Sequence, residues 1–147
     1  MKGYVCKVCG FISINGSAPD NCPVCGAPKT SFQESDAIKE PADAANLSEL
    51  EKKHIPTITI VKECGLIPNI CTDAHVKVGE IQHPMQSDHS IQHIDYYINK
   101  EFVARVHLTP EKLNPAAALH IKSEATGELT AVSLCNLHGA WIKTQQL

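Results

Sequence analysis

Basic clusters and long apolar runs are both scarce in this chain, and each scarcity removes a class of function. Thirteen Lys and Arg against sixteen Asp and Glu leave a net charge of −3 and a pI near 6.2. No basic patch is available for nucleic acid or an anionic membrane surface. The longest wholly apolar runs span a few residues, such as Ala116-Ala117-Ala118-Leu119, far short of a bilayer-spanning stretch. Met1-Lys2-Gly3-Tyr4-Val5-Cys6 reaches cysteine without an apolar signal-peptide core, so the expected compartment is the cytoplasm. Aromatics are few, at 5%, and a chain that is 43% hydrophobic and 20% charged is globular, which excludes collagen, low-complexity disorder and coiled coil. What is abundant is metal-ligating chemistry: seven cysteines and eight histidines in 147 residues. Reduced compartments favour metal over disulfides, and an odd count leaves at least one thiol outside any full disulfide set.

The chain divides by composition. Cys6, Cys9, Cys22 and Cys25 fall in the first 25 residues. Residues 35–52 are rich in Ala, Asp, Glu and Lys without a sustained apolar face, and read as a linker with a short helix at Leu47–Lys52. From His54 onward the pattern is antiparallel β. Strands are expected at Pro56–Lys62, Val76–Ile81, Ile91–Asn99, Phe102–Leu108, Leu119–Lys122 and Leu129–Leu134. In Phe102–Leu108 the alternation puts Phe102, Ala104, Val106 and Leu108 on one face. Asn99-Lys100, Thr109-Pro110, Asn114-Pro115 and Thr126-Gly127 punctuate the run as turns. Strands at this spacing, without helical patterns between them, suggest a β-sandwich. The N-terminal piece is too short to hold a core without a metal staple.

Cys6-x-x-Cys9-Gly10 and Cys22-Pro23-x-Cys25-Gly26 are two copies of one loop. Two residues between thiolates let a tight turn aim both sulfurs at one ion, and the glycine lets backbone amides turn toward them. Four thiolates in a tetrahedron suit zinc or iron. Tyr4, Phe11, Ile12, Ala18-Pro19, Ala27-Pro28-Lys29 and Phe32 around these cysteines resemble the short rubredoxin-type domain of rubrerythrins over residues 1–33. The resemblance implies a one-electron Fe(Cys)4 centre, a structural zinc ribbon being the alternative.

The later residues Lys53-His54-Ile55-Pro56, Val78-Gly79-x-x-x-His83-Pro84-Met85, Asp88-His89 and Cys135-Asn136-Leu137-His138-Gly139-x-Trp141 offer imidazoles and one thiolate. That donor set suits iron, copper or zinc. In order and spacing they resemble the active domain of the desulfoferrodoxins and neelaredoxins, the superoxide reductases, from about residue 50 to 143. The resemblance implies a mainly β chain: a rubredoxin-like metal-knuckle domain at 1–34, a linker at 35–52, and an immunoglobulin-like, seven-stranded antiparallel β-sandwich at 53–147. It implies His54, His83, His89 and His138 as equatorial ligands and Cys135 as the axial ligand of a catalytic iron, whose sixth position is open to superoxide. Lys53 would attract the anion and order a proton-donating water. Rubredoxin or a similar protein would be the electron donor, and the chain a homodimer or homotetramer. Two other readings remain open: an electron-transfer protein that turns over no substrate, and a zinc ribbon joined to an Ig-like binding domain.

The chain departs from the resemblance in places. Many members carry Glu-Lys-His-x-Pro, whereas here Lys52 stands where that glutamate would be, with Glu51 one residue earlier. The N-terminal module is rubredoxin-type where desulfoferrodoxins usually have adjacent cysteines in the second pair. Cys64 and Cys71 have no counterpart and read as buried small apolar residues, a labile disulfide being the alternative. His75, His93, His107 and His120 match no ligand position, and His107 and His120 read as polar-face residues.

Overall fold

The computed structural model describes residues 1–147. In the N-terminal module β1 (Gly3–Cys6), β2 (Ile12–Ser13) and β3 (Phe32–Ser35) form one small sheet in the order β2-β1-β3. The rest of the chain is a sandwich. β5 (Pro56–Val61), β6 (Cys71–Val78) and β9 (Ala116–Lys122) form one sheet in the order β5-β6-β9. β7 (Ile91–Ile98), β8 (Glu101–His107), β10 (Glu128–Cys135) and β11 (Gly139–Gln146) form the other, in the order β11-β10-β7-β8. These are the seven antiparallel strands of the expected sandwich. An eighth, β4 (Ile38–Lys39), adds in parallel to the β11 edge.

Alternation explains the sheets. In β6, Ala74, Val76 and Val78 are buried while His75 and Lys77 face solvent, as a strand with one covered face requires. β10 is buried along nearly its whole length because both of its faces are covered. Leu129, Ala131 and Cys135 face the sandwich interior, and Val132 and Leu134 face the N-terminal module.

β8 departs from simple alternation. Opposite it, Tyr96 pairs with Ala104 but Tyr97 with Phe102, so Val103 is an extra residue, left 47% exposed. This bulge turns Phe102 away from Ala104 and Val106 and onto the outer face, contrary to the expected single face. Phe102 joins Phe11 and Tyr97 there: Phe11 stacks on Tyr97 at 6.2 Å and meets Phe102 edge-on at 5.1 Å. The Tyr97 hydroxyl donates a buried hydrogen bond of 2.6 Å to the Ile12 carbonyl. Arg105, held by Asp95 through contacts of 2.6 and 2.7 Å, donates from Nη1 to the Cys9 carbonyl at 2.9 Å. Much of the scarce aromatic content lies in this seam.

The stretch expected to be a linker carries β4 and a helix, α1 (Glu49–His54), two residues later than expected. Ser48 caps α1 and Glu51 reaches back to the Ser48 amide in a capping box. Two further differences follow from composition. β9 begins at Ala116, where an alanine run carries little strand signal. β11 falls outside the expected strands because its second half, Lys143–Gln146, is polar and exposed.

Candidate metal centres

In the N-terminal module the two knuckles make matching hydrogen bonds. The Gly10 amide donates to the Cys6 carbonyl and the Gly26 amide to that of Cys22, both at 2.9 Å. Gly10 and Gly26 take positive φ of 72° and 77°, which a side chain would disfavour. The sulfurs converge: Cys6 lies 3.7 Å from Cys25, and Cys9 3.5 Å from Cys22. Burial acts to raise the Cys6 thiol, but the Cys9 and Val8 amides and the neighbouring sulfurs bring it down to about 7. Burial, reinforced by the adjacent sulfurs, pushes Cys9 up to about 12. One thiolate forms readily and the next does not, so a cation is what reconciles four sulfurs at this spacing.

The second cluster draws on four parts of the fold. His54 ends α1, His83 follows the turn after β6, His89 precedes β7, and Cys135 and His138 flank the β10–β11 turn. The four imidazoles form a square. Going round it, His54–His83, His83–His89, His89–His138 and His138–His54 have centroids 4.6, 4.6, 5.0 and 4.7 Å apart, inclined at 66–78°. The His54–His89 diagonal is 6.2 Å. Cys135 Sγ lies 3.6 Å from His138 Nδ1 and groups with the donor atoms of His54, His83 and His89.

Hydrogen bonding aims these rings inward. His54 and His83 donate from Nδ1 to the Leu50 and Pro84 carbonyls, each at 2.7 Å, which leaves lone pairs on both Nε2 atoms. Those atoms sit 3.1 Å apart, and His54 Nε2 is also 3.1 Å from His138 Nδ1. Burial, with the neighbouring imidazoles adding to it, brings His83 down to about 4 against the pull of the Pro84 carbonyl, and burial likewise lowers His54. Protons therefore do not relieve the facing lone pairs. His89 Nε2 is fully buried with no hydrogen-bond partner, an anomaly in a folded protein. Lone pairs converging on one point, one of them orphaned, fit a cation held by all five side chains.

Outer contacts hold the square. Asn136 bridges two loops: its Oδ1 accepts from the Ser90 amide at 2.9 Å and its Nδ2 donates to the Asp88 carbonyl at 2.9 Å. Trp141 stacks on His54 at 5.1 Å. Lys39, a residue without a motif of its own, donates to the His138 carbonyl at 2.8 Å and lies 5.0 Å over the Trp141 ring. Lys53 is exposed on the last turn of α1. Glu51 spends its carboxylate on the Ala42 and Ser48 amides, at 2.8 Å each, and on the Ser48 hydroxyl at 2.7 Å.

A desulfoferrodoxin family model matches residues 46–144, and a rubrerythrin rubredoxin-like domain model matches residues 4–33. The chain belongs to the desulfoferrodoxin family. It is 34% identical over 145 residues to a desulfoferrodoxin of Syntrophotalea carbinolica, covering 96% of this chain and 94% of that one. A superoxide reductase of Pyrococcus abyssi is 35% identical over 106 residues, covering 65% of this chain and 88% of its own. The solved superoxide reductase (neelaredoxin) of Ignicoccus hospitalis superposes with a TM-score of 0.60 at 26% identity, covering 76% of this chain and 94% of that one. A third cluster lies outside both of these centres. Cys64 and Cys71 are buried and His120 is exposed on the polar face of β9, both as expected, but the two sulfurs face His120 and Asp73 instead of an apolar pocket. No helix is long and apolar enough to cross a membrane.

Proposed function

We propose that this chain is a superoxide reductase, O2•− + e− + 2H+ → H2O2, with His54, His83, His89, His138 and Cys135 holding the catalytic iron. Cys6, Cys9, Cys22 and Cys25 would hold a second iron, in a module at residues 1–34 that acts as electron relay to the domain at 53–147. The observation that carries the reading is the imidazole square with its orphaned His89 Nε2 beside the buried Cys135 sulfur. Iron in that square supplies one electron and a Lewis-acidic position for an anionic substrate.

The residues do the rest. Four neutral imidazoles and one thiolate carry a single negative charge, so a site holding a divalent cation stays net positive and attracts an anion. The Nδ1–H bonds of His54 and His83 fix the tautomer and the ring planes. Lys53 is the cation next to His54; it would draw superoxide in and order the water that supplies a proton to the product. Glu51, committed to the α1 cap, contributes no ligand. Rubredoxin or a similar small protein is the donor, the chain is a homodimer or homotetramer, and the cytoplasm, where its thiols stay reduced, is its compartment.

Rapid-mixing kinetics of superoxide consumption by the prereduced holoprotein test the reading. Cys135→Ser and His138→Ala, with the fold intact, should lose the reaction; either one running at the parental rate refutes the assignment. Lys53→Ala should slow the bimolecular step about tenfold or more and flatten its ionic-strength dependence. An unchanged rate removes Lys53 from the mechanism.

A further inference from the structure

We infer that Cys64, Cys71, Asp73 and His120 form a third metal site, a tetrahedral zinc site that staples the loop between β5 and β6 onto the outer face of the sheet. This site is independent of either iron centre.

The placement of the four side chains carries it. Cys71 and Asp73 stand two apart on β6, on the face that also carries His75 and Lys77. His120 lies directly opposite Asp73 on β9, so the three share one face. The loop over residues 62–70 folds across that face and adds Cys64. The four donor atoms all lie within 4.8 Å of one another. His120 Nδ1 is 3.2 Å from Cys64 Sγ, 3.4 Å from Cys71 Sγ and 2.8 Å from Asp73 Oδ1, and Cys71 Sγ is 3.5 Å from Asp73 Oδ1. Zinc bonds to these donors give tetrahedral edges of about 3.3–3.8 Å, and each of these four distances lies within about half an ångström of that range. The rubredoxin-type sulfurs in the same chain sit at 3.5 and 3.7 Å. The Ile67 amide donates to Cys64 Sγ at 3.4 Å, as an amide does to a metal-bound thiolate.

The loop supplies a second, independent observation. Across residues 62–70 Cys64 alone is buried. Leu66, Ile67 and Ile70 are 74%, 40% and 62% exposed, so apolar packing does not hold the loop down. Its anchor is a sulfur that ends in a polar quartet, not in an apolar pocket. Two thiolates exclude calcium and magnesium, and two sulfurs with one imidazole and one carboxylate suit zinc.

Its role follows from where it sits. His54 and His83 lie where β5 begins and β6 ends, whereas Cys64 and Cys71 lie where β5 ends and β6 begins. The length of β5, about 20 Å, separates the two sites. The zinc is structural and takes no part in superoxide turnover.

The test is metal analysis of the full-length, iron-loaded protein, parental and variant, purified side by side. His120→Ala is the decisive variant, since its side chain is 40% exposed and its removal disturbs no core. It should contain one zinc per chain fewer than the parent, with both iron contents, visible bands and superoxide kinetics unchanged. Cys71→Ser should behave alike, and His120→Cys should keep the zinc. Zinc-edge absorption should fit two sulfurs near about 2.3 Å and two lighter atoms near about 2.0 Å. Equal zinc in parent and His120→Ala overturns the inference. So does zinc-free parental protein in which Cys64 and Cys71 are recovered as a disulfide or alkylate freely without denaturant.

Discussion

His83 and His54 show how single side chains are prepared for a cation. Each gives its Nδ1 proton to a backbone carbonyl, and burial opposes a second proton, holding His83 near 4 instead of the ordinary 6.5. In the metal-free protein this preparation has a stability consequence of definite sign. Between pH 6.5 and about 4 the unfolded chain takes up a proton at this residue that the folded chain refuses, so stability falls as pH falls through that window and levels off below it. Thermal melting of metal-free protein across the window should show the loss. A metal-free His83→Gln protein should show a shallower pH slope, and an identical slope would sink the account. The orphaned His89 Nε2 is the counterpart in hydrogen bonding: a cost in the empty chain that a metal removes.

At the scale of elements, the turn after β6 positions His83 against α1. Gly79 has φ of 86°, and a Cβ there would lie 2.7 Å from the Lys53 carbonyl oxygen and 2.2 Å from that of Ile81. The Gly79 amide meanwhile donates to the Ile55 carbonyl at 3.1 Å and the Ile81 amide to that of Lys52 at 3.0 Å. Gly79→Ala must therefore push apart the helix that ends in His54 and the loop that carries His83. Backbone strain of this kind costs about 1–3 kcal/mol. Denaturant unfolding should show a loss of that size, accompanied by weaker retention of cradle iron against a chelator. Loss of stability with chelator resistance unchanged would mean that the turn does not position the ligands. Asn136 clamps the facing side of the cradle, tying the His89 loop to the β10–β11 turn.

Across the whole molecule, the N-terminal module is seated on the outer face of the larger sheet by buried contacts. Phe11, Tyr97 and Phe102 pack together, Tyr97 bonds the Ile12 carbonyl, and Arg105 bonds that of Cys9. The stretch between the modules adds β4 to the sheet and brings Lys39 to the His138 carbonyl. Tyr97→Phe keeps the ring and strips the hydroxyl, leaving the Ile12 carbonyl buried without its partner, at a cost of about 1–3 kcal/mol. It should loosen the seam, slowing multiple turnover with a rubredoxin-type donor while single-turnover consumption of superoxide by prereduced protein stays at the parental rate. Equal slowing of both would place Tyr97 in the cradle's support instead of the seam.

Features that depend on neighbours along the chain are legible in the amino-acid sequence itself. The paired Cys-x-x-Cys-Gly loops need only a tight turn and a positive-φ glycine, β5 follows from the alternation of Thr with Ile, and β7 and most of β10 follow from apolar, β-favouring residues between bounding turns. The His and Cys motifs of the cradle are visible by resemblance, because each is a short local string. What the sequence alone leaves undecided depends on partners remote along the chain. The register between β7 and β8 places the bulge at Val103 and turns Phe102 to the seam. The polar second half of β11 and the alanines of β9 are strands because neighbouring strands pair with them. The square of imidazoles, the Lys39 contact and the convergence of Cys64, Cys71, Asp73 and His120 each join residues tens of positions apart. Local propensity specifies turns and strand faces; only the closing of the sandwich brings those faces into one register, and the metal-binding geometry follows from that register.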